Sequence, residues 1–168
     1  APIAQVLDIC GNKKDIMNPI TVCIVEDNED FRDWLVSEVS GTGQVTCIGK
    51  YARAEEALQE IPKLEPDIVL MDLHLKDSRL DGIGCMLHLK LLLPSIKFMV
   101  ISSLADEGKI FEALRVGAGS YIQKGEIPGK ILDLILEFHA GGSPMSLGIS
   151  RRVVKSFQQN AGDLSLIK

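Results

Sequence analysis

Five side chains stand where they could do chemistry together. Glu26 and Asp27 follow the apolar run Thr21–Val25, Asp72 closes Ile68–Asp72, Ser102 closes Phe98–Ser102, and Lys124 follows Ser120–Gln123. If those runs are parallel strands, ligands gather beyond their carboxyl ends, and three carboxylates, a hydroxyl and an ammonium converge there. Crowded carboxylates resist ionisation unless positive charge sits among them. Glu26, Asp27 and Asp72 carry three negative charges, which Lys124 and one divalent cation would balance. Mg²⁺ suits such a set, because it takes one or two carboxylates and keeps its other octahedral places for water and phosphate oxygens. With a phosphoryl donor present, one carboxylate can act as nucleophile and form an acyl phosphate. Asp72 is best placed for that role. Glu26 and Asp27, on the adjacent central strand, would hold the metal, while Ser102 and Lys124 would bind the developing phosphoryl oxygens.

Taken singly, each residue has a plainer reading. A strand-end Asp often caps a helix, Ser102 could cap a helix beginning near Ala105, Lys124 could be a solvated lysine, and Tyr121 a half-buried strand aromatic. Only the five residues at their spacing carry the chemistry.

The elements that must position them are legible as well. Thr21–Val25, Val45–Tyr51, Ile68–Asp72, Phe98–Ser102 and Ser120–Gln123 read as strands, and the first, third and fourth are apolar nearly throughout. Strands covered on both faces by helices look like this, whereas half-exposed strands alternate. Helical patterns follow each one. Asn28 can cap a helix with Phe31, Trp34, Leu35 and Val39 on one face, ending at Gly41. Ala54–Ile61 stops at Pro62, Gly82–Leu93 stops before Pro94, Ala105–Val116 ends at Gly117, and Ile127–His139 runs out at Gly141-Gly142. The alternation predicts an α/β fold: a doubly wound, five-stranded parallel sheet of (βα)5 type, with a linker helix over Ile149–Phe157 that places Ile149, Val153, Val154 and Phe157 on one side.

Composition narrows the classes. Of 168 residues, 46% are hydrophobic and 24% charged, enough apolar material for one core. Lys+Arg 18 against Asp+Glu 23 leaves a net charge of −5, so there is no general basic field for nucleic acid or anionic lipid. The basic group Arg151, Arg152 and Lys155 reads as the solvated face of a linker. No apolar run is long enough to span a bilayer. The cysteines show no CxxC pair, and His74, His88 and His139 have no zinc or triad spacing, so free thiols in a reducing, cytoplasmic setting are expected. Residues 1–16 read as a vector-derived or disordered tail, 17–140 as the main domain, and 141–168 as a linker stopping short of an output domain.

The motifs VCIVEDNEDFRDWL, DIVLMDLHLKD, FMVISS and GSYIQKG resemble the receiver domain of two-component response regulators. The separations Asp27 to Asp72 (45), Asp72 to Ser102 (30) and Ser102 to Lys124 (22) are close to those of that family. The tail HAGGSPMSLGISRRVVKSF looks like the linker of the LuxR/NarL-type subfamily, whose members carry a helix-turn-helix output domain. The resemblance implies Asp72 as phosphoacceptor, Glu26 and Asp27 as metal ligands with the backbone carbonyl of His74, Ser102 and Lys124 on the phosphate, and Tyr121 as a switch aromatic moving with Ser102. It implies a sensor histidine kinase as donor, a possible homodimer, and DNA contact only through an output domain. Such a protein is a phosphoacceptor that assists its own transfer and dephosphorylation, not an enzyme. Compared with the family, the loop from Asp72 to Asp81-Gly82 is two residues longer and lacks its Pro, Gly125 stands where Pro is frequent, and Ser replaces Thr at 102.

The alternative is a haloacid dehalogenase-like phosphatase, which also uses an Asp nucleophile and Mg²⁺. That family needs a second Asp two residues on, where this chain has His74. A flavodoxin-like binding protein is a further reading, but the acidic stretch Glu26–Asp30 would repel a cofactor phosphate.

Overall fold

Apolar runs that must be covered on both faces form the centre of the molecule. The computed structural model describes residues 18–103, 106–127 and 129–160, with the backbone of 6–7 and 13–14. Strands β1 (Ile20–Val25), β2 (Val45–Tyr51), β3 (Ile68–Met71), β4 (Lys97–Ser102) and β5 (Ala118–Gln123) form one all-parallel sheet in the order β2-β1-β3-β4-β5. Helices α1 (Glu29–Ser40), α2 (Ala54–Leu64), α3 (Gly82–Leu92), α4 (Glu107–Val116) and α5 (Ile131–His139) connect or follow them, and α6 (Leu147–Asn160) ends the described chain. Val6–Leu7 pairs antiparallel with Lys13–Lys14; the rest of the expected tail lies outside the described residues.

Because successive side chains alternate across a strand, each buried strand feeds two cores. Val22 and Ile24 join Leu35 and Val39 of α1 and Ile135 and Phe138 of α5. Cys23 and Val25 join Ile61 of α2, Met86 and Leu89 of α3 and Ile110 of α4 on the opposite face. The doubly wound parallel sheet expected from the sequence is therefore the fold. Its winding reverses between β1 and β3, which opens a crevice at their carboxyl ends.

Several boundaries differ from expectation. Helix α2 runs through Pro62 to Leu64. A proline in the last turn forfeits only one ladder bond, and the turn is closed by Glu65, whose N–H donates to the Ile61 carbonyl at 2.9 Å and whose φ is 47°. Helix α5 begins at Ile131 instead of Ile127, because Lys124–Glu126 take a 3₁₀ turn and Ile127 is extended. Ala105 lies outside the described residues. Helix α4 is capped by Asp106, whose carboxylate accepts from Gly108 N–H at 2.7 Å, so Ser102 is not its cap.

The linker helix is longer than expected and its apolar face is divided. Ile149 is fully buried and Val153 half-buried, but Val154 and Phe157 are exposed. The segment before it lines the free edge of β5: Ser146 N–H donates to the Tyr121 carbonyl at 3.3 Å, Gln123 N–H to Ser146 Oγ at 3.0 Å, and Ser120 Oγ to the Pro144 carbonyl. Gly148 N–H donates to Glu126 Oε2 at 3.0 Å, which ties the start of α6 to the 3₁₀ turn. No helix among the described residues is long and apolar enough to cross a membrane.

Candidate functional site

The strand ladder itself sets the first two acidic residues. Glu26 N–H donates to the Tyr51 carbonyl and Asp72 N–H to the Val25 carbonyl, each at 2.9 Å, so both residues continue the pairing of β1 one step beyond its end. Asn28 then caps α1, its side chain accepting from Phe31 N–H at 2.9 Å, and the chain turns away from the crevice after Asp27. Glu26, Asp27 and Asp72 bring one oxygen each within 4.8 Å of one another. Glu26 and Asp72 are only 1% and 4% exposed. Lys124 reaches in from the far edge strand, with Nζ 2.8 Å from Glu26 Oε1 and 3.5 Å from Asp72 Oδ2.

Counting these four groups, two negative charges are left without a partner. Burial accordingly pushes the Glu26 carboxyl up to about 7, against the downward pull of the Lys124 hydrogen bond. Burial also raises Asp72, against the hydrogen bond from Glu26 and the Lys124 charge. An all-oxygen donor set with an unbalanced charge of −2 is the chemistry a hard divalent cation fits. For His74 the observed contact is its N–H, 3.4 Å from Asp72 Oδ1.

Ser102 closes β4 and is fully buried, as is Tyr121 on the neighbouring β5. Their side chains share a hydrogen bond, and burial pushes the Tyr121 phenol up to about 12. The resemblance implies a Tyr121 ring that moves with Ser102. Here the ring already lies inside, so any switching motion starts from an inward ring bonded to Ser102.

The lengthened loop after Asp72 takes a defined path. Asp77 adopts a φ of 62°, Ser78 N–H donates to the Leu75 carbonyl at 3.3 Å, and Gly82 N–H returns to the Leu73 carbonyl at 2.9 Å. Ser78 Oγ accepts from Ala54 N–H at 3.0 Å and Glu55 Oε1 from Arg79 N–H at 2.6 Å, which docks the loop on the start of α2. Lys76 N–H donates to Asp27 Oδ2 at 2.9 Å, so the loop also orients a candidate metal ligand. Three further contacts escaped the sequence reading. Asn28 N–H lies 3.3 Å from Glu26 Oε1, Arg32 Nη1 donates to the Glu26 carbonyl at 2.8 Å, and the Phe31 ring centroid is 4.5 Å from Lys124 Nζ. Phe31 and Arg32 sit four and five residues after Asp27, within the first turn of α1, and that spacing was the available signal.

The family model described as the response regulator receiver domain matches residues 22–136. The chain belongs to the response regulator receiver domain family. Among curated relatives, the response regulator protein VraR of Staphylococcus aureus is 32% identical over 124 residues, 74% of this chain and 58% of VraR. The chain therefore spans little more than half the length of that relative. A LuxR-family two-component response regulator from Aurantimonas sp. SI85-9A1 superposes with a TM-score of 0.76 at 22% identity, covering 83% of this chain and 98% of that one. RcsB from Salmonella enterica serovar Typhimurium, solved bound to a promoter with a phosphomimetic, superposes with a TM-score of 0.75 at 18% identity, covering 82% and 68%. At such identities the two structures speak for the fold alone. The phosphatase alternative finds no support, since the family is the receiver domain and the residue two past Asp72 is the exposed His74.

Proposed function

We propose that this protein is a phosphorylation-controlled switch in which Asp72 takes a phosphoryl group from a sensor histidine kinase. The observation that carries the reading is the juxtaposition at Asp72: a buried carboxylate between two further carboxylates and an ammonium 3.5 Å away. Transfer forms the Asp72 Oδ–P bond as the P–N bond of the donor phosphohistidine breaks, and the leaving imidazole takes its proton from solvent. The residues of this chain supply position and charge. Lys124 faces the acceptor oxygen and neutralises charge on the incoming group. The Ser102 hydroxyl turns from Tyr121 to a phosphoryl oxygen, and the His74 N–H steadies Asp72. Glu26, Asp27 and Asp72, with the His74 carbonyl, would hold Mg²⁺, which when bound supplies positive charge shared between the acceptor and the phosphoryl oxygens. The domain acts on itself and is not a turnover enzyme for outside substrates.

Residues 17–140 would form the switch and 141–168 the linker to a DNA-binding output domain, with transcription regulation as the outcome and the cytoplasm as the setting. A homodimer of phosphorylated chains would suit that role. Incubation with acetyl phosphate followed by intact-mass measurement tests the reading. Wild type should gain one phosphoryl mass only with Mg²⁺, and Asp72→Asn should gain none. An Asp72→Asn variant phosphorylated at the wild-type rate would refute the assignment.

A further inference from the structure

Three groups among the described residues lie at the Lys124 ammonium. Two are the carboxylates of Glu26 and Asp72; the third is the face of the Phe31 ring, 4.5 Å from Nζ to the centroid. We propose that Phe31 is a positioning residue for Lys124, holding the ammonium over the site by a cation–π contact when the carboxylates are engaged elsewhere. The proposal rests on the phosphoryl-transfer reading above.

The need for such an anchor follows from what else restrains this lysine. Its four-carbon stem is flexible and its side chain is 21% exposed. Among the described residues nothing lies within 4 Å of the position a Cβ would take at the next residue, Gly125, so no packing at that residue braces Lys124. Glu26 and Asp72 hold Nζ, yet both are also the oxygens a divalent cation would claim. Once a cation draws on them, their hold on Lys124 weakens, and the ring is the partner that stays. An aromatic face attracts a cation without neutralising it, so the full charge of Lys124 is left for phosphoryl oxygens. A third carboxylate in that place would cancel the charge the reaction needs.

The ring is well held for this purpose. Phe31 lies in the first turn of α1, its N–H bonded to the Asn28 cap. It is half-buried against the core that contains Val22 and Ile24, and Trp34 stacks on it at 5.4 Å between centroids. The short stretch from the end of β1 into the first turn of α1 thus brings both the Glu26 carboxylate and the Phe31 ring to the Lys124 ammonium.

Three replacements separate a cation–π role from packing: Phe31→Tyr keeps the ring, Phe31→Leu keeps apolar bulk, and 3,4,5-trifluorophenylalanine at position 31 keeps the shape while draining charge from the ring face. Proton NMR of the Lys124 ε-methylene in the Mg²⁺-loaded protein should show an upfield ring-current shift that Phe31→Leu abolishes. At saturating Mg²⁺, the maximal rate of phosphorylation by acetyl phosphate should hold in Phe31→Tyr and fall about three- to tenfold in the trifluoro and Leu forms, a size set by partly desolvated cation–π contacts. Mg²⁺ affinity should stay the same in all of them. Absence of the ring-current shift overturns the proposal, as does a trifluoro protein that reacts at the wild-type rate. If wild type itself takes no phosphoryl group, the functional reading fails and this role in the reaction with it. A wild type that reacts while the variants match it sinks the Phe31 proposal alone.

Discussion

Replacing Gly82 by alanine should damage both stability and the placement of Asp72, through one contact. Gly82 opens α3 beneath the backbone of Asp72, the proposed phosphoacceptor. A Cβ there would lie 2.1 Å from the Asp72 carbonyl oxygen, 2.7 Å from Leu73 Cα and 2.9 Å from the Asp72 carbonyl carbon. All three are backbone atoms, so no side-chain rotation relieves the clash. Ordinary contact begins at 3.4 Å, and moving from 2.1 Å to 3.4 Å requires a shift of about 1.3 Å between α3 and the end of β3. Overpacking of this kind costs about 1–3 kcal/mol, while Gly→Ala at a helical position returns about 0.4–1 kcal/mol through the unfolded chain. At the midpoints of those ranges the clash wins by roughly 1.3 kcal/mol, which for a chain of this size lowers Tm by roughly 3–5 °C. A displacement of about 1 Å at a reacting group costs on the order of 100-fold in rate. Thermal melts and acetyl phosphate kinetics followed by intact mass measure both effects on the same sample. A Gly82→Ala protein with wild-type Tm and wild-type phosphorylation would refute the packing argument. Loss of Tm with an unchanged rate would refute the link from Gly82 to Asp72.

Three more outcomes are expected. The Glu26 carboxyl is raised from its ordinary 4.5 to about 7, so it contributes stability that is fully present below pH 4.5 and lost as pH rises through 7. Metal-free Tm should therefore fall between pH 5 and pH 8 on this account, and the Tm gain from saturating Mg²⁺ should be larger at pH 8 than at pH 5.5; equal gains at both would argue against a cation among these carboxylates. Phosphorylation should change hydrogen exchange across α4 and β5 in wild type, and Ser102→Ala should still be phosphorylated but lack that change, since it removes the hydroxyl shared with Tyr121; an equal change in both proteins would argue against coupling through this pair. Glu126→Ala removes the acceptor for Gly148 N–H and should speed exchange in the first turn of α6 by the loss of a cap worth about 1 kcal/mol; unchanged exchange there would show that the β5 edge alone holds the linker.

Two kinds of information met in this fold. The strands were legible because burial on both faces demands continuous apolar runs, and β1, β3 and β4 have them. The meeting of Glu26, Asp27, Asp72 and Lys124 was legible because a doubly wound sheet gathers whatever follows its strands, so polar residues at those strand ends stood out from local sequence. Helix ends were read less well where a local stop signal competed with packing or with a turn of its own: α2 continues past Pro62, and the turn that carries Lys124 delays α5. The divided face of α6 was hidden because periodicity marks which residues could be buried, not how far a neighbouring edge extends to bury them. Tertiary structure alone decided what depends on approach through space. Lys124 meets Glu26 across 98 residues of chain, the Phe31 ring comes to face that ammonium, and burial in the sheet raises the Glu26 and Asp72 carboxyls. Residue types and strand ends select which groups meet, since both follow from short stretches of chain. Distances, burial and the acidities they produce come from the packing of distant segments, which no short stretch contains.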